Sequence, residues 1–143
     1  MNNKYTSTCT VMIKAHLNKV WDALINPELV KQYFFGTNLV TTWQVGSPIL
    51  FKGQWEGNPY EDKGVVLSFI PMESLAYSYW SSFSGISDIP ELYQIIKFSV
   101  EEVSGGVNVT IFQSNVATQE SADQSGENWK MVMDGLKKLL ENN

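Results

Sequence analysis

The last segment of the chain constrains its fold most. Trp129, Val132, Met133, Leu136, Leu139 and Leu140 recur at intervals of three and four, the spacing that lines one side of an α-helix with apolar groups. Lys130, Asp134, Lys137, Lys138 and Glu141 fall on the other side, and lysines near a C-terminus complement the helix dipole. A helix over about residues 127–141 is about 22 Å long, enough to cross a sheet. Gly126 and Gly135 weaken it, by about 1 kcal/mol each relative to Ala where the site is helical. A stripe this apolar has to be covered, so the rest of the chain must supply a surface for it.

That surface is written in period two. Residues Tyr5 to His16 are rich in Thr and Val and read as a first strand. Asn18 is placed to cap a short helix through Ile25, and Asn26-Pro27 interrupts it. A second short helix runs to about Phe34, and Gly36 suits its end. Leu39 to Trp43, Ile49 to Glu56, Gly64 to Ile70 and Leu75 to Trp80 are then short runs separated by Gly, Pro, Asn or charged turns. Tyr93 to Val103 and Val107 to Asn115 form a hairpin through Ser104-Gly105-Gly106, where glycine supplies the positive φ of a tight turn. The order is strand, two short helices, six strands, long helix. Strands grouped together and flanked by helices give an α+β fold, here a curved antiparallel sheet of about seven strands around the C-terminal helix. No linker, repeat or low-complexity tract divides the chain, so residues 1–143 are expected to form one domain.

Composition excludes several functions. Apolar residues make up 43% of the chain and charged residues 17%, a globular balance. With a net charge of −5 and scattered basic residues, there is no cluster to neutralise phosphates, so no nucleic-acid partner is expected. No run of 18 apolar residues spans a membrane. Met1 to Tyr5 lead into polar alternating sequence with neither an apolar core nor a cleavage signal, and a cytoplasmic protein is the expectation. Cys9 is the single cysteine and His16 the single histidine, so no internal disulfide and no histidine metal cluster can form. No metal and no cofactor are expected.

One stretch narrows the fold further. Residues 20–34, Val-Trp-Asp-Ala-Leu-Ile-Asn-Pro-Glu-Leu-Val-Lys-Gln-Tyr-Phe, resemble the signature that opens the Hsp90-ATPase-activator-homologue (AHSA1-like, SRPBCC) family of the START-like, Bet v 1-like superfamily. Gly64-Val65-Val66-Leu67, Pro71, Leu75-Ala76-Tyr77, the Phe98 to Gly106 hairpin and the Trp129 to Leu140 helix agree with it. The resemblance implies the helix-grip fold over nearly the whole chain. It fixes no activity, because that superfamily includes ligand carriers, polyketide cyclases and chaperone activators.

The candidate site residues are Trp55, Tyr79, Phe83, Tyr93, Gln113, Trp129 and Met133. Aromatic residues are 13% of the chain, five of them tryptophan. They either fill a core or line a concave pocket whose few polar groups come from Tyr, Trp and Gln113. A cavity between the sheet and the last helix is the expectation. The loop from Ser81 to Pro90 holds Phe83, Ile86 and Ile89, and is either a lid or a surface loop with its apolar side chains tucked down. Catalytic groups are sparse: Glu61-Asp62 and Glu101-Glu102 are neighbours that point to opposite faces of a strand, not acid/base couples. No catalytic residue is assigned. The expected function is therefore non-enzymatic binding of a small hydrophobic molecule. The alternatives are a protein-interaction module on an Hsp90-type chaperone, which the resemblance implies, and a cyclase or aromatase-like enzyme using Tyr93 or Gln113. The family's eukaryotic activators carry a further N-terminal domain for which 143 residues leave no room.

Overall fold

The computed structural model describes residues 5–141. Nine-residue strand β1 (Tyr5–Ile13) leads into helices α1 (Leu17–Ile25) and α2 (Pro27–Tyr33). Strands β2 (Asn38–Thr41), β3 (Pro48–Trp55), β4 (Asn58–Ile70), β5 (Ser74–Tyr79), β6 (Gln94–Val103) and β7 (Gly106–Val116) follow, and helix α3 (Gln119–Glu141) closes the chain. The strands form one sheet in the order β1-β7-β6-β5-β4-β3-β2, with every pair antiparallel. Irregularities in register lie between Tyr5 and Ser7 and between Val66 and Ser68, where bulges bend and twist a sheet. This is the helix-grip arrangement: the sheet curves on one face around α3.

The apolar stripe does what its spacing implies. Trp129, Val132, Met133, Leu136 and Leu140 are buried, and Leu136 is 0% exposed. They meet the inward-facing side of β7, where Val107, Val109 and Ile111 alternate with outward residues. Gly135, an unfavourable residue in a helix, has a packing reason. A Cβ there would stand 3.2 Å from Tyr33 Cβ, so its absence lets α2 lie against α3. At the C-terminal end, Lys137 Nζ donates to Met12 O (2.9 Å) and to Glu141 Oε2 (2.6 Å), and the Lys14 backbone N–H donates to the same carboxylate oxygen (2.8 Å). These bonds tie the end of α3 to the end of β1.

Several boundaries differ from the sequence reading: β1 ends at Ile13 and not His16, β2 ends at Thr41 and not Trp43, and three others have a visible cause. α3 starts at Gln119, about two turns before the periodic stripe, because Thr118 Oγ1 accepts the Ser121 N–H (3.0 Å) and caps a polar first stretch. α1 is entered through His16 and not Asn18, whose side chain reaches only the adjacent Lys19 N–H. β4 extends back to Asn58, through charged residues that pair with β3. Asn26 does cap α2, its Oδ1 accepting the Glu28 N–H (3.0 Å).

Replacing Leu136 by Ala leaves a cavity at the centre of the grip, and unfolding in urea is expected to lose about 2–5 kcal/mol of stability. Met131→Ala, on the exposed side of the same helix, should change it by less than about 0.5 kcal/mol.

Candidate functional site

Between α3 and the concave face of the sheet the side chains are mostly aromatic. Phe34, at the end of α2, stacks on Phe51 of β3 (ring centroids 6.3 Å) and meets Trp129 of α3 edge-on (5.8 Å). Trp129 also meets Phe98 of β6 edge-on (5.9 Å), and Tyr77 of β5 lies between Phe51 (5.3 Å) and Phe98 (6.4 Å). Such pairs add attraction beyond the area they bury. They leave a void of only about 20 Å³, bounded by Leu24, Val30, Phe34, Phe51, Tyr77 and Phe98 among others. The expected cavity is therefore corrected: the interior is filled by its own rings, with room for about one water-sized probe.

A polar strip crosses this interior at the end nearest the β3–β4 turn. Asp62 of β4 is 7% exposed, and its Oδ2 accepts the Tyr79 O–H at 2.5 Å. Tyr79 is the register partner of Gln94, whose Oε1 accepts from Gln113 Nε2. Gln113, 3% exposed, accepts in turn from Trp129 Nε1 at 2.8 Å. Beside them Thr37 Oγ1 and the Tyr60 hydroxyl are 3.0 Å apart, Tyr60 lying over Gly53 where a Cβ would fall 2.6 Å from its hydroxyl oxygen. Burial pushes the Tyr79 hydroxyl far above its ordinary pKa, and the Asp62 carboxylate adds to the shift. Among the described residues, one buried side-chain polar atom has no hydrogen-bond partner, Asp62 Oδ1.

The candidates from the sequence fall in five places. Tyr79, Gln113 and Trp129 meet in the strip, as above. Met133 is buried in the core of α3 and does not border the void. Phe83 is 64% exposed on the loop after β5, its ring 5.9 Å from that of Tyr60. Trp55 ends β3 through its backbone, opposite Asn58, and its side chain lies outside the described residues. Tyr93 is a correction: it does not face the interior. One residue before inward-facing Gln94, it points to the other side of the sheet, stacks on Trp80 (6.4 Å) and donates to Asp88. The parity of a strand decides its face. Phe34, Phe51, Tyr77, Phe98 and Asp62 were missed. Alternation along β4 could have found Asp62, since the same rule that separates it from Glu61 sends one of the two inward.

Outside the sheet, Tyr93 belongs to a cluster that holds the loop after β5. Lys63 Nζ lies 2.7 Å from Asp88 Oδ2 and 5.4 Å from the Trp80 ring centre, and Trp80 Nε1 donates to Ile86 O (2.8 Å). The loop is pinned, yet it leaves Phe83 and Ile89 exposed. At the opposite end of the molecule an open groove of about 520 Å³ is bordered by Lys14, His16, Lys19, Glu102 and Glu141. None of the candidate residues lines it.

A family profile described as activator of Hsp90 ATPase homolog 1-like protein matches residues 14–141. No curated protein matches. Among solved structures, the chain is similar to ChR145 from Cytophaga hutchinsonii, with 41% identity over 99% of this chain and 97% of that one and a TM-score of 0.84. Protein MLL2253 from Mesorhizobium loti shares 19% identity over 97% and 98% of the two chains, with a TM-score of 0.80. The Aha1 dimer from Colwellia psychrerythraea shares 21% identity over 96% of each chain, with a TM-score of 0.74. The last two likenesses speak for the fold alone. Among the described residues no helix is long and apolar enough to cross a membrane.

The outer cluster carries a pH dependence. The Lys63 ammonium, and after it the Tyr93 hydroxyl, hold the Asp88 carboxyl below its usual range. Its stabilisation of the loop is complete above the ordinary carboxylate value of about 4 and is lost as pH falls through the lowered one. Amide exchange over residues 81–93, corrected for its intrinsic pH dependence, should hold steady from about pH 7 to 5 and accelerate below about 4. Asp88→Asn should exchange faster at neutral pH and show no acid step.

Proposed function

We propose, for a chain that belongs to the activator of Hsp90 ATPase homolog 1-like family, that the interior between the sheet and α3 binds a small hydrophobic molecule without transforming it. One observation carries this reading: two neighbouring sets of hydrogen-bonded polar groups, Asp62 with Tyr79 and Gln94 with Gln113 and Trp129, lie buried or half-buried beside an aromatic lining. A core that only has to pack gains nothing from a buried carboxylate, whereas ligand sites combine an apolar lining with a few placed polar groups. The enzyme alternative loses ground, because Gln113 is engaged at both ends of its amide and Tyr93 faces away from the interior.

A ligand must displace part of the lining, and Phe34 is the ring best placed to move. It is half-buried at the C-terminus of α2, and the next two residues, Phe35 (φ 54°) and Gly36 (φ 72°), both have left-handed backbone. Phe35 is 60% exposed, its ring meeting Phe34 edge-on (6.0 Å) from the solvent side. Rotation of Phe34 outward would enlarge the void beside Phe51 and uncover the Trp129 ring that Phe34 now meets edge-on.

Binding should be visible as retained apolar material in native mass spectrometry. It should also appear as a rise in melting temperature that grows with added 2-ethylnaphthalene, equivalent to about 2.7 kcal/mol at a free concentration a hundredfold above Kd. No retained material and no shift would remove the reading.

The closed interior favours a second reading, a protein-interaction module on an Hsp90-type chaperone. Phe83, Ile89 and Leu92 face solvent on one segment and would supply an apolar contact. On this reading the protein raises the ATPase rate of an Hsp90-type chaperone, and Phe83→Ser abolishes the rise while Trp129→Phe does not. An unchanged rate with the intact protein ends it.

A further inference from the structure

Asp62 stands out from every other polar group in the interior. Gln94, Gln113 and Trp129 bond one another and Tyr79 donates to Asp62, but the Asp62 carboxyl is met on one side only. Oδ2 takes the Tyr79 hydroxyl, and Oδ1 is buried with no partner among the described side chains. Leaving a buried polar atom unmet is costly, and more so where it is charged. Among the described residues no cation pairs with it: the lysines beside it in the strand ladder, Lys52 and Lys63, pair with Glu61 and Asp88 on the outer face. Position gives the orphan a use. Asp62 is the cross-strand partner of Phe51, so the two side chains share a face, and the Phe51 ring borders the void. Tyr79 holds the carboxyl from the opposite side with its ring 5.5 Å from that of Phe51.

Carboxylate oxygens accept hydrogen bonds and do not donate them. The group that completes this site is therefore a donor, attached to something that lies against Phe51. Resting on the reading that the interior binds a small hydrophobic molecule, we infer that Asp62 is its polar anchor and that the ligand is an apolar body ending in a hydrogen-bond donor, a hydroxyl or an amine. The same carboxylate excludes ligands that end in a carboxylate, because two like charges in a site with no cation repel. Fatty-acid-like anions are thus outside the ligand class, and alcohols and amines of similar size are inside it.

Four naphthalene probes of one shape test this by calorimetry near pH 7: 2-ethylnaphthalene, 2-naphthylmethanol, 2-naphthylmethylamine and 2-naphthoate. The methanol or the methylamine should bind about tenfold or more tightly than ethylnaphthalene, and naphthoate most weakly. Whichever of the two donors is tighter identifies the end group as hydroxyl or ammonium. In Asp62→Asn the methylamine should lose about tenfold and naphthoate should gain. Equal affinities for all four probes, tightest binding of naphthoate, or a ranking unchanged in Asp62→Asn would overturn the role of Asp62 and leave hydrophobic binding standing. Binding of none of the four would overturn the interior-binding reading itself. If Asp62→Asn does not fold, the ranking on the wild-type protein decides alone.

Discussion

Everything in this structure depends on the burial of one helical stripe against one curved sheet. Val132, Met133, Leu136 and Leu140 are inaccessible because β7 and β1 curve beneath them, and burial of side chains of this kind stabilises by about 1.5–3 kcal/mol apiece. Helix α3 is held in two different ways. At the C-terminal end, Lys137, Glu141 and the Lys14 backbone form a polar clamp to β1. Midway along the helix the link is Trp129, whose indole touches Phe34 and Phe98 and whose N–H reaches Gln113. The first attachment is made by charge and backbone. The second runs through the aromatic interior, so any change in that interior is felt by the helix.

That asymmetry gives the interior its character. Near the clamp the concave face is aliphatic and closely packed. Toward the β3–β4 turn it becomes aromatic and then polar, ending in Asp62, Tyr79, Gln94 and Gln113. A gradient from apolar to hydrogen-bonding within one enclosed space is what distinguishes a site from a core, even where the rings have closed over it. The open groove at the opposite end is larger, but it is lined by exposed charged groups and the hairpin glycines. Its apolar lining is limited to Ala15, Val103 and Leu140 and carries no aromatic ring other than His16, so volume alone does not make it the better hydrophobic site.

Much of the fold was legible because it rests on period. The α3 stripe, the hairpin at Gly105-Gly106 and the Asn26-Pro27 break are local signals, and each element formed where its residues imply. The errors came where another interaction overrode the local one. The first turns of α3 carry no stripe and exist through the Thr118 cap; β4 starts in charged residues because β3 pairs with them. For the site, residue type was readable and direction was not. Tyr79 and Tyr93 look alike in the sequence, yet one faces Asp62 and the other Asp88, according to strand parity. The closing rings, Phe34 above all, come from different elements. Their meeting depends on how α2 is laid against α3 at Gly135, which no single segment encodes.

A closed interior also bears on affinity. Moving half-buried Phe34 into solvent forfeits about half of the 1.5–3 kcal/mol that full burial of a large ring gives, so the open form is a minor population. A ligand that needs it binds more weakly than its contacts would give, by up to about one order of magnitude. An apolar body that takes the place of Phe34 against Phe51 and Trp129 recovers the ring contacts but adds little beyond them. The surplus that drives binding then has to come from a group the closed form leaves unsatisfied, and among the described residues that group is the free oxygen of Asp62. Selectivity should accordingly reside in the polar end of the ligand more than in its size. An aromatic lining discriminates little between apolar shapes, while a single buried carboxylate fixed by Tyr79 accepts only a donor.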